Sequence, residues 1–106
     1  MGFITELNET NYKDFTNSGV SLVDVWASWC APCRQIAPIV DQLSVDYQGR
    51  VAVGKLDATA NGDLVAELGV RNIPTILVYK DGEIVDRNVG MTTKELLSEL
   101  VDKHLN

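Results

Sequence analysis

The stretch Trp26-Ala27-Ser28-Trp29-Cys30-Ala31-Pro32-Cys33 contains both cysteines of the chain and separates two segments with different hydrophobic patterns. The segment that leads into it, Val20–Ala27, is nearly all apolar, which predicts a strand buried on both faces. Behind it, apolar residues recur at helical spacing and predict a helix from about Ala31 to Tyr47. The cysteine pair is therefore expected at the point where a central strand ends and a helix begins.

Strand and helix patterns alternate along the rest of the chain. The other predicted strands are Phe3–Leu7, Val51–Asp57, Thr75–Tyr79 and Glu83–Val89, and an Asp81-Gly82 turn makes a hairpin of the last two. Each strand is thus bounded by a turn or by a helical pattern.

Three more helices are predicted. The first is capped by Asn8 or Thr10 and runs to about Ser18, with Phe15 turned inward. A short one is capped by Asn61, carries Leu64, Val65 and Leu68, and ends at Gly69. The last opens with a Thr92-x-x-Glu95 capping box, and its predicted inner face consists of Leu96, Leu97, Leu100 and Val101.

The resulting order, β-α-β-α-β-α-β-β-α, predicts an α/β fold: a central mixed β-sheet flanked by helices on both faces. The buried strands Val20–Ala27 and Thr75–Tyr79 are joined to their neighbours by helices, which implies parallel crossovers. The final hairpin adds antiparallel strands.

The composition excludes several classes of protein. Nine basic and fifteen acidic residues give a net charge of −6 and no basic run occurs, so a nucleic-acid binder is not expected. The longest apolar runs fall far short of the roughly 18 residues that a membrane-spanning helix needs. A chain of 106 residues is expected to form a single domain, residues 1–106, with a monomer as the default.

Two features of the sequence bear on the compartment. The start, Met1–Glu6, has neither a basic region nor a long apolar region, so it does not resemble a secretory signal. Two cysteines are too few for a disulfide-stapled secreted miniprotein. We therefore expect the protein in the cytoplasm.

The cysteine pair is the candidate reactive group. The free N–H groups and the dipole of a helix N-terminus favour an anion, so Cys30 is expected to have a depressed pKa and to act as the nucleophile. Cys33 lies one turn later, close enough to form a disulfide with it. Two alternatives remain: a pair of inert core cysteines, or half of a zinc site with His104 as the one further soft ligand. The Cys-x-x-Cys spacing at a strand-to-helix turn favours redox chemistry.

The chain resembles the thioredoxin family over essentially its whole length. Besides Trp29–Cys33, the matching segments in order are Val23–Ala27, Lys55–Asp57, Arg71–Thr75, Asp81–Glu83 and Val89–Gly90. The departure is Ala31, where the family usually has Gly; the added methyl is expected to tune the potential or the fit of partners modestly. No His lies between the cysteines, which favours a reductant over the oxidant and isomerase relatives.

Asp24 interrupts the apolar strand on the same face as Leu22 and Trp26, and burial there would raise its pKa. The resemblance implies that Asp24 is the buried acid behind Cys33 and takes its proton through water. It also places Lys55 near that acid, where its charge would tune the pKa. The alternatives are an aspartate satisfied locally at a strand edge and a solvated strand lysine.

The resemblance also implies a substrate-binding surface around the cysteines. Pro74 would be a cis-proline facing them, and the Ile73 backbone would pair with an extended substrate segment. Trp29, Gly90 and Met91 would complete a flat apolar patch, and Ala31 and Pro32 between the cysteines belong to the same substrate-binding set. Otherwise, Pro74 merely starts a strand and Gly90 merely ends one.

These implications add up to a protein-disulfide reductase, an enzyme whose Cys30–Cys33 pair cycles between dithiol and disulfide with no bound cofactor and no metal. Because no nucleotide-binding fingerprint is present, a separate reductase must return the electrons, by family analogy an NADPH-dependent flavoprotein. Expected substrates include ribonucleotide reductase, peroxiredoxin and methionine sulfoxide reductase. Two rival functions are a binding module in which redox is incidental and an oxidant or isomerase outside the cytoplasm.

Overall fold

The computed structural model describes residues 2–105, which form five strands and four helices in the predicted order. The strands are β1 (Ile4–Leu7), β2 (Val20–Trp26), β3 (Val51–Asp57), β4 (Thr75–Lys80) and β5 (Glu83–Val89). The helices are α1 (Tyr12–Thr16), α2 (Ala31–Asp46), α3 (Gly62–Glu67) and α4 (Lys94–Asp102). The predicted α/β class is confirmed.

The strands form one mixed sheet in the order β1-β3-β2-β4-β5. The strand β3 pairs in parallel with β1 and β2, whereas β4 pairs antiparallel with both β2 and β5. The implied parallel crossover is confirmed for the strands joined through α2, Val20–Ala27 and Val51–Asp57. It is wrong for the strands joined through α3, because Thr75–Tyr79 runs opposite to Val51–Asp57. The reason is that the connection through α3 begins and ends at the same end of the sheet, the one where β2 ends. The last residue of β3, Asp57, lies opposite Trp26, and the first residue of β4, Thr75, lies opposite Val25.

Helices cover both faces of the sheet, as predicted. On one face α2 and α4 contribute to a core made of Val20, Leu22, Ile36, Val40, Leu43, Tyr47, Val51, Val53, Ile76, Val78, Leu97 and Val101. On the other face α1 and α3 pack over Leu7, Tyr12, Val23, Val25, Leu56, Val65, Val70, Leu77 and Tyr79, with Phe15 partly buried against them. Each fully buried aliphatic side chain contributes about 1.5–3 kcal/mol, so both layers stabilise the sheet. Val20–Val25 of β2 are all buried, which confirms the central strand.

Several predicted ends shift by one or two residues. The first strand begins at Ile4, and the preceding Phe3 N–H donates to Ser44 Oγ at 2.9 Å instead of to a strand. The second strand ends at Trp26 instead of Ala27, and the last helical residue of α1 is Thr16 instead of about Ser18. These shifts leave the element order unchanged.

The caps of α1 and α3 differ in part from the prediction. The N-cap of α1 is Asn11, whose side chain makes no capping hydrogen bond, so neither Asn8 nor Thr10 is at the cap position. Asn8 Oδ1 accepts hydrogen bonds from the N–H groups of Thr10 and Asn11 in the turn before the helix. Asn61 precedes α3 as predicted, but its side chain makes no capping hydrogen bond and donates instead to Asp57 O. Gly69 has a φ of +73° after the end of α3, as expected for a helix-terminating glycine.

The start of α4 is displaced by one residue. Thr93, not Thr92, accepts the hydrogen bond from the Leu96 N–H, at 3.2 Å. Leu97 and Val101 face the core and Leu100 packs at its edge, but Leu96 is half exposed. The predicted capping box is wrong because Thr92 is buried before the helix and leaves the cap to its neighbour.

The helices also bear on membrane insertion. Among residues 2–105, no helix is both long and apolar enough to cross a membrane.

Candidate active site

The cysteines lie at the predicted strand-to-helix junction. The strand β2 ends at Trp26, and α2 begins one residue after Cys30, which is its N-cap. Two hydrogen bonds hold the intervening loop: Cys30 N–H donates to Ala27 O at 3.1 Å, and Arg34 Nη1 donates to Ser28 O at 2.9 Å. The backbone around Cys30 is therefore fixed from both of its ends.

Cys30 and Cys33 form a disulfide, with their Cα atoms 5.3 Å apart. Both side chains are buried, and the Cys33 N–H donates to Cys30 Sγ at 3.2 Å. In the reduced protein, the same N–H and the helix dipole would favour a thiolate at Cys30. This arrangement fits a nucleophile at Cys30 and a resolving thiol at Cys33.

The residues around the disulfide are open to solvent on one side. Ala31 and Pro32 are exposed in the first turn of α2, where the missing N–H of a proline costs no hydrogen bond. The Trp29 side chain is 71% exposed. A large exposed aromatic beside a reactive group is typical of a surface that contacts a partner.

The loop before β4 adjoins the cysteines. The Ile73–Pro74 peptide bond is cis, as the resemblance implied, and Ile73 packs against the buried cluster of Ala27, Cys30 and Cys33. Among residues 2–105, neither the N–H nor the C=O of Ile73 makes a hydrogen bond to another main-chain group. The Ile73 main chain is thus available to a further extended segment.

Gly90 lies beside the same loop. Its N–H donates to Pro74 O at 2.8 Å, which ties the end of β5 to the start of β4. Its φ of +88° favours glycine, and a Cβ placed there would meet no atom within 4 Å. Met91, which follows, is 53% exposed. We call the set Trp29, Ile73, Pro74, Gly90 and Met91 the docking surface.

Asp24 is buried in the middle of β2, with 1% of its surface exposed. Neither oxygen of its carboxyl group has a hydrogen-bond partner among residues 2–105. Loss of solvation raises the pKa of Asp24 to about 6, although the charge of Lys55 acts to lower it. The alternative of an aspartate satisfied at a strand edge is therefore wrong.

Lys55 lies opposite Asp24 on β3 and is half-buried. Its Nζ lies 4.9 Å from the centroid of the Trp26 ring, so the ammonium is held in a cation–π contact. A pocket of about 240 Å³ is lined by Lys55, Trp26 and Cys33 together. This pocket is large enough for water to connect the thiol side of the site with the lysine.

The contact between Trp26 and Lys55 was not predicted from the sequence. The residue is only half-buried, and its ring carries the Lys55 ammonium. The signal available in the sequence was its position two residues after Asp24, on the same face of the strand.

Among residues 2–105, no third side chain joins the two cysteines in a group that could hold a zinc ion. His104, the one histidine of the chain, follows α4, and its Nε2 lies 2.7 Å from Asp86 Oδ2 on β5. The structure thus engages His104 with Asp86, away from the Cys30–Cys33 disulfide.

Comparisons with known proteins agree with this geometry. The sequence model of the thioredoxin family matches residues 3–103. The thioredoxin of Staphylococcus saprophyticus is 46% identical over 102 residues, covering 96% of this chain and 98% of that protein. The thioredoxin of Staphylococcus aureus is 44% identical over the same length and with the same coverage.

Two solved structures share the fold. A mutant thioredoxin from Halobacterium salinarum NRC-1 matches with a TM-score of 0.88 at 32% identity, covering 100% of this chain and 96% of that one. A thioredoxin from Malassezia sympodialis matches with a TM-score of 0.90 at 26% identity, covering 100% of this chain and 94% of that one.

Proposed function

The chain belongs to the thioredoxin family and is a protein-disulfide reductase; on this premise we propose the part that each site residue plays in its reaction. The observation that carries the proposal is the contact between the Cys33 N–H and Cys30 Sγ at the start of α2. It makes Cys30 the sulfur that is best stabilised as a thiolate. The electrons are carried by the cysteine pair itself, so the reaction needs no bound cofactor.

The reaction begins with attack of the Cys30 thiolate on one sulfur of a target disulfide. The target S–S bond breaks, its second sulfur leaves and takes up a proton, and a mixed disulfide with Cys30 remains. Cys33 then loses its proton and attacks Cys30 Sγ. The target leaves as a dithiol, and the Cys30–Cys33 disulfide forms. Two electrons and two protons have moved to the target.

Asp24 acts as the base for the second step. A carboxyl group with a pKa of about 6 is mostly ionised at neutral pH, so it can accept the Cys33 proton through water. Lys55 favours the ionised carboxylate and so sets the pH at which Asp24 can act. Cys33 and Lys55 line one pocket, and Lys55 lies opposite Asp24 on the neighbouring strand, so water in that pocket would bring the Cys33 proton to the residue next to the acid.

The docking surface holds the target during both steps. An extended target segment pairs with the free Ile73 main chain, a short β-augmentation that puts its disulfide against Cys30. Trp29 and Met91 supply exposed apolar contacts around it, and Gly90 borders it, whereas Pro74 is itself buried and fixes the cis bend after Ile73. Ala31 and Pro32 present the exposed first turn of α2. Main-chain pairing of this kind selects conformation over sequence, as a general reductase requires.

The partners proposed are a thioredoxin reductase, an NADPH-dependent flavoprotein by family analogy, and protein disulfides such as those of ribonucleotide reductase, peroxiredoxin and methionine sulfoxide reductase. We place the protein in the reducing cytoplasm because the dipeptide between its cysteines lacks the His common in oxidant and isomerase relatives. It works there as a monomer.

Serine variants test the order of the two sulfurs. With a disulfide-containing target, Cys33→Ser is expected to accumulate a covalent mixed disulfide detectable by mass spectrometry, whereas Cys30→Ser is expected to form none. A mixed disulfide on Cys33 in the Cys30→Ser variant would contradict the proposal. The double variant Cys30→Ser, Cys33→Ser also separates the reductase from a binding module, because full biological function in that variant would support the latter.

A further inference from the structure

Charge is distributed unevenly around the docking surface. The three segments that build the site, residues 27–34, 70–76 and 88–94, contain Arg34, Arg71 and Lys94 but no Asp or Glu. The whole chain has fifteen acidic residues against nine basic ones. Segments without acidic residues on an acidic protein give a local field opposite in sign to the net charge.

Arg34 is fixed at the first side of the docking surface. It directly follows Cys33, and its guanidinium donates a hydrogen bond to the Ser28 carbonyl, in the loop that contains Trp29 and Cys30. Its partner there is an uncharged oxygen, and no carboxylate lies within ion-pair distance of it among residues 2–105. The positive charge of Arg34 is therefore not neutralised by the protein.

Arg71 lies at the second side. It is exposed two residues before Ile73, in the loop that presents the free main chain for pairing. Within the described part of the chain it also has no ion-pair partner. Lys94, by contrast, forms an ion pair: its Nζ lies 2.8 Å from Asp46 Oδ2, so its positive charge is offset by that carboxylate.

Two carboxyl groups on the strands beside the site, Asp24 and Asp57, form no ion pair with these arginines. Asp24 is buried, with 1% of its surface exposed, and so does not face the solvent-exposed docking surface. Asp57, at the end of β3, is half-buried and accepts a hydrogen bond from the Thr59 N–H at 2.9 Å. Among residues 2–105, Arg34 and Arg71 are thus charged residues of the site segments that have no ion-pair partner.

We propose that Arg34 and Arg71 make this reductase selective for disulfides whose flanking residues are acidic. The inference rests on the proposed function, because it uses the extended segment paired with Ile73. Such a segment advances about 3.3 Å per residue, so side chains within about three positions of the attacked cysteine reach the arginines on either side. Opposite charge speeds the encounter, and like charge on a basic segment slows it.

Two peptides of one sequence, each closed by a disulfide and carrying either Glu or Lys beside the cysteines, test this selectivity. The rate constant for reduction by the reduced protein is measured by stopped-flow fluorescence and divided by that for dithiothreitol, which removes the intrinsic reactivity of each disulfide. We expect the normalised rate constant to be about tenfold higher for the Glu peptide at low salt and the preference to shrink near 1 M salt.

Variants assign the effect to the two residues. Arg71→Glu is expected to remove most of the preference, while Arg50→Glu, the same charge change in the turn between α2 and β3, is expected to alter it by less than about twofold. Arg34→Gln should weaken the preference, and Arg34→Lys should keep it.

Equal normalised rates for the two peptides at low salt would overturn the selectivity and leave the reductase function standing. Failure to reduce both peptides and the small neutral disulfide of mercaptoethanol would instead overturn the proposed function itself, and the selectivity with it.

Discussion

Asp24 and Lys55 lie directly opposite each other on adjacent parallel strands, yet the Lys55 ammonium contacts the Trp26 ring and both oxygens of Asp24 lack a hydrogen bond among residues 2–105. A buried carboxyl without a partner is costly when ionised. The charge of Lys55 lowers the pKa of Asp24 from a distance, but the two side chains do not form an ion pair. This arrangement leaves Asp24 able to change its protonation state near physiological pH, which a base in a thiol reaction needs.

The first prediction concerns stability. Because the folded pKa of Asp24 is about 6 and its ordinary value is 3.8, the folded state holds this proton between those values while the unfolded state has released it. Stability from this group is therefore lost as the pH rises from about 4 to about 7, by about 3 kcal/mol at most. Asp24→Asn cannot ionise and should lose this pH dependence in urea unfolding curves.

The difference in stability between the parent protein and the Asp24→Asn variant, measured against pH, isolates the contribution of Asp24. Pairing lowers the pKa of Asp86, chiefly through His104, and that of Asp46, chiefly through Lys94, so both stabilise above their unfolded pKa and lose this effect in acid. These contributions are common to the parent and the variant and cancel in the difference. An identical pH dependence in both proteins would show that Asp24 has no raised pKa.

The second prediction concerns Lys55. Lys55→Met keeps most of the side-chain length but removes the charge that lowers the pKa of Asp24, so that pKa should rise further. The carboxyl carbon of Asp24, followed by NMR against pH, reports it directly. The pH dependence of mixed-disulfide resolution should move in the same direction.

A control separates this local effect from the change in net charge. Lys13→Met removes one charge from the exposed surface of α1 and should leave the titration of Asp24 in place. A lower pKa in Lys55→Met, or equal shifts in both variants, would show that Lys55 does not tune this acid.

The third prediction concerns Ala31. Ala31 is exposed at the first position of α2, and the hydrogen bond from the Cys33 N–H to Cys30 Sγ forms in its presence. The reduction potential of the disulfide should therefore stay near the roughly −270 mV typical of the family. Ala31→Gly should shift it by less than about 30 mV. Equilibration in graded dithiol buffers, followed by tryptophan fluorescence, measures both. A parent value above about −200 mV would indicate an oxidant or isomerase.

The fourth prediction concerns Gly54, in the middle of β3. A Cβ at this position would lie 2.7 Å from Leu7 Cδ1 and 3.0 Å from Phe15 Cζ, so Gly54→Ala should displace the Leu7 and Phe15 side chains from their packing against β3. We expect a loss of about 1–3 kcal/mol in the free energy of unfolding. Gly62→Ala is the matched control, since a Cβ there meets nothing within 4 Å at the start of α3. A variant at Gly54 as stable as the control would contradict this packing.

Local patterns in the sequence were sufficient for the elements and for the reactive pair. The apolar run at β2, the helical spacing after Cys33 and the Asp81-Gly82 turn each depend on neighbouring residues, and all three are confirmed. Resemblance to the family supplied the cis bond before Pro74, which the sequence pattern alone does not predict.

Features that depend on distant residues were not accessible in this way. The strands β2 and β4 are antiparallel because the connection through α3 returns to the end of the sheet at which β2 ends. The cap at Thr93 and the exposure of Leu96 depend on how α4 docks. Periodicity assigns a residue to a face, but only packing decides how deeply that face is buried.

The same division holds for the site. The sequence by itself determined that Cys30 and Cys33 lie at a helix N-terminus, because a strand pattern, two cysteines and a helix pattern follow one another within a short segment. Only the tertiary structure decided that Asp24 is buried without a hydrogen-bond partner among residues 2–105, that Lys55 stacks on Trp26, and that Ile73 meets the cysteines. Those contacts join separate strands and loops, and desolvation, which sets the pKa of Asp24, exists only once the sheet and α2 have closed around it.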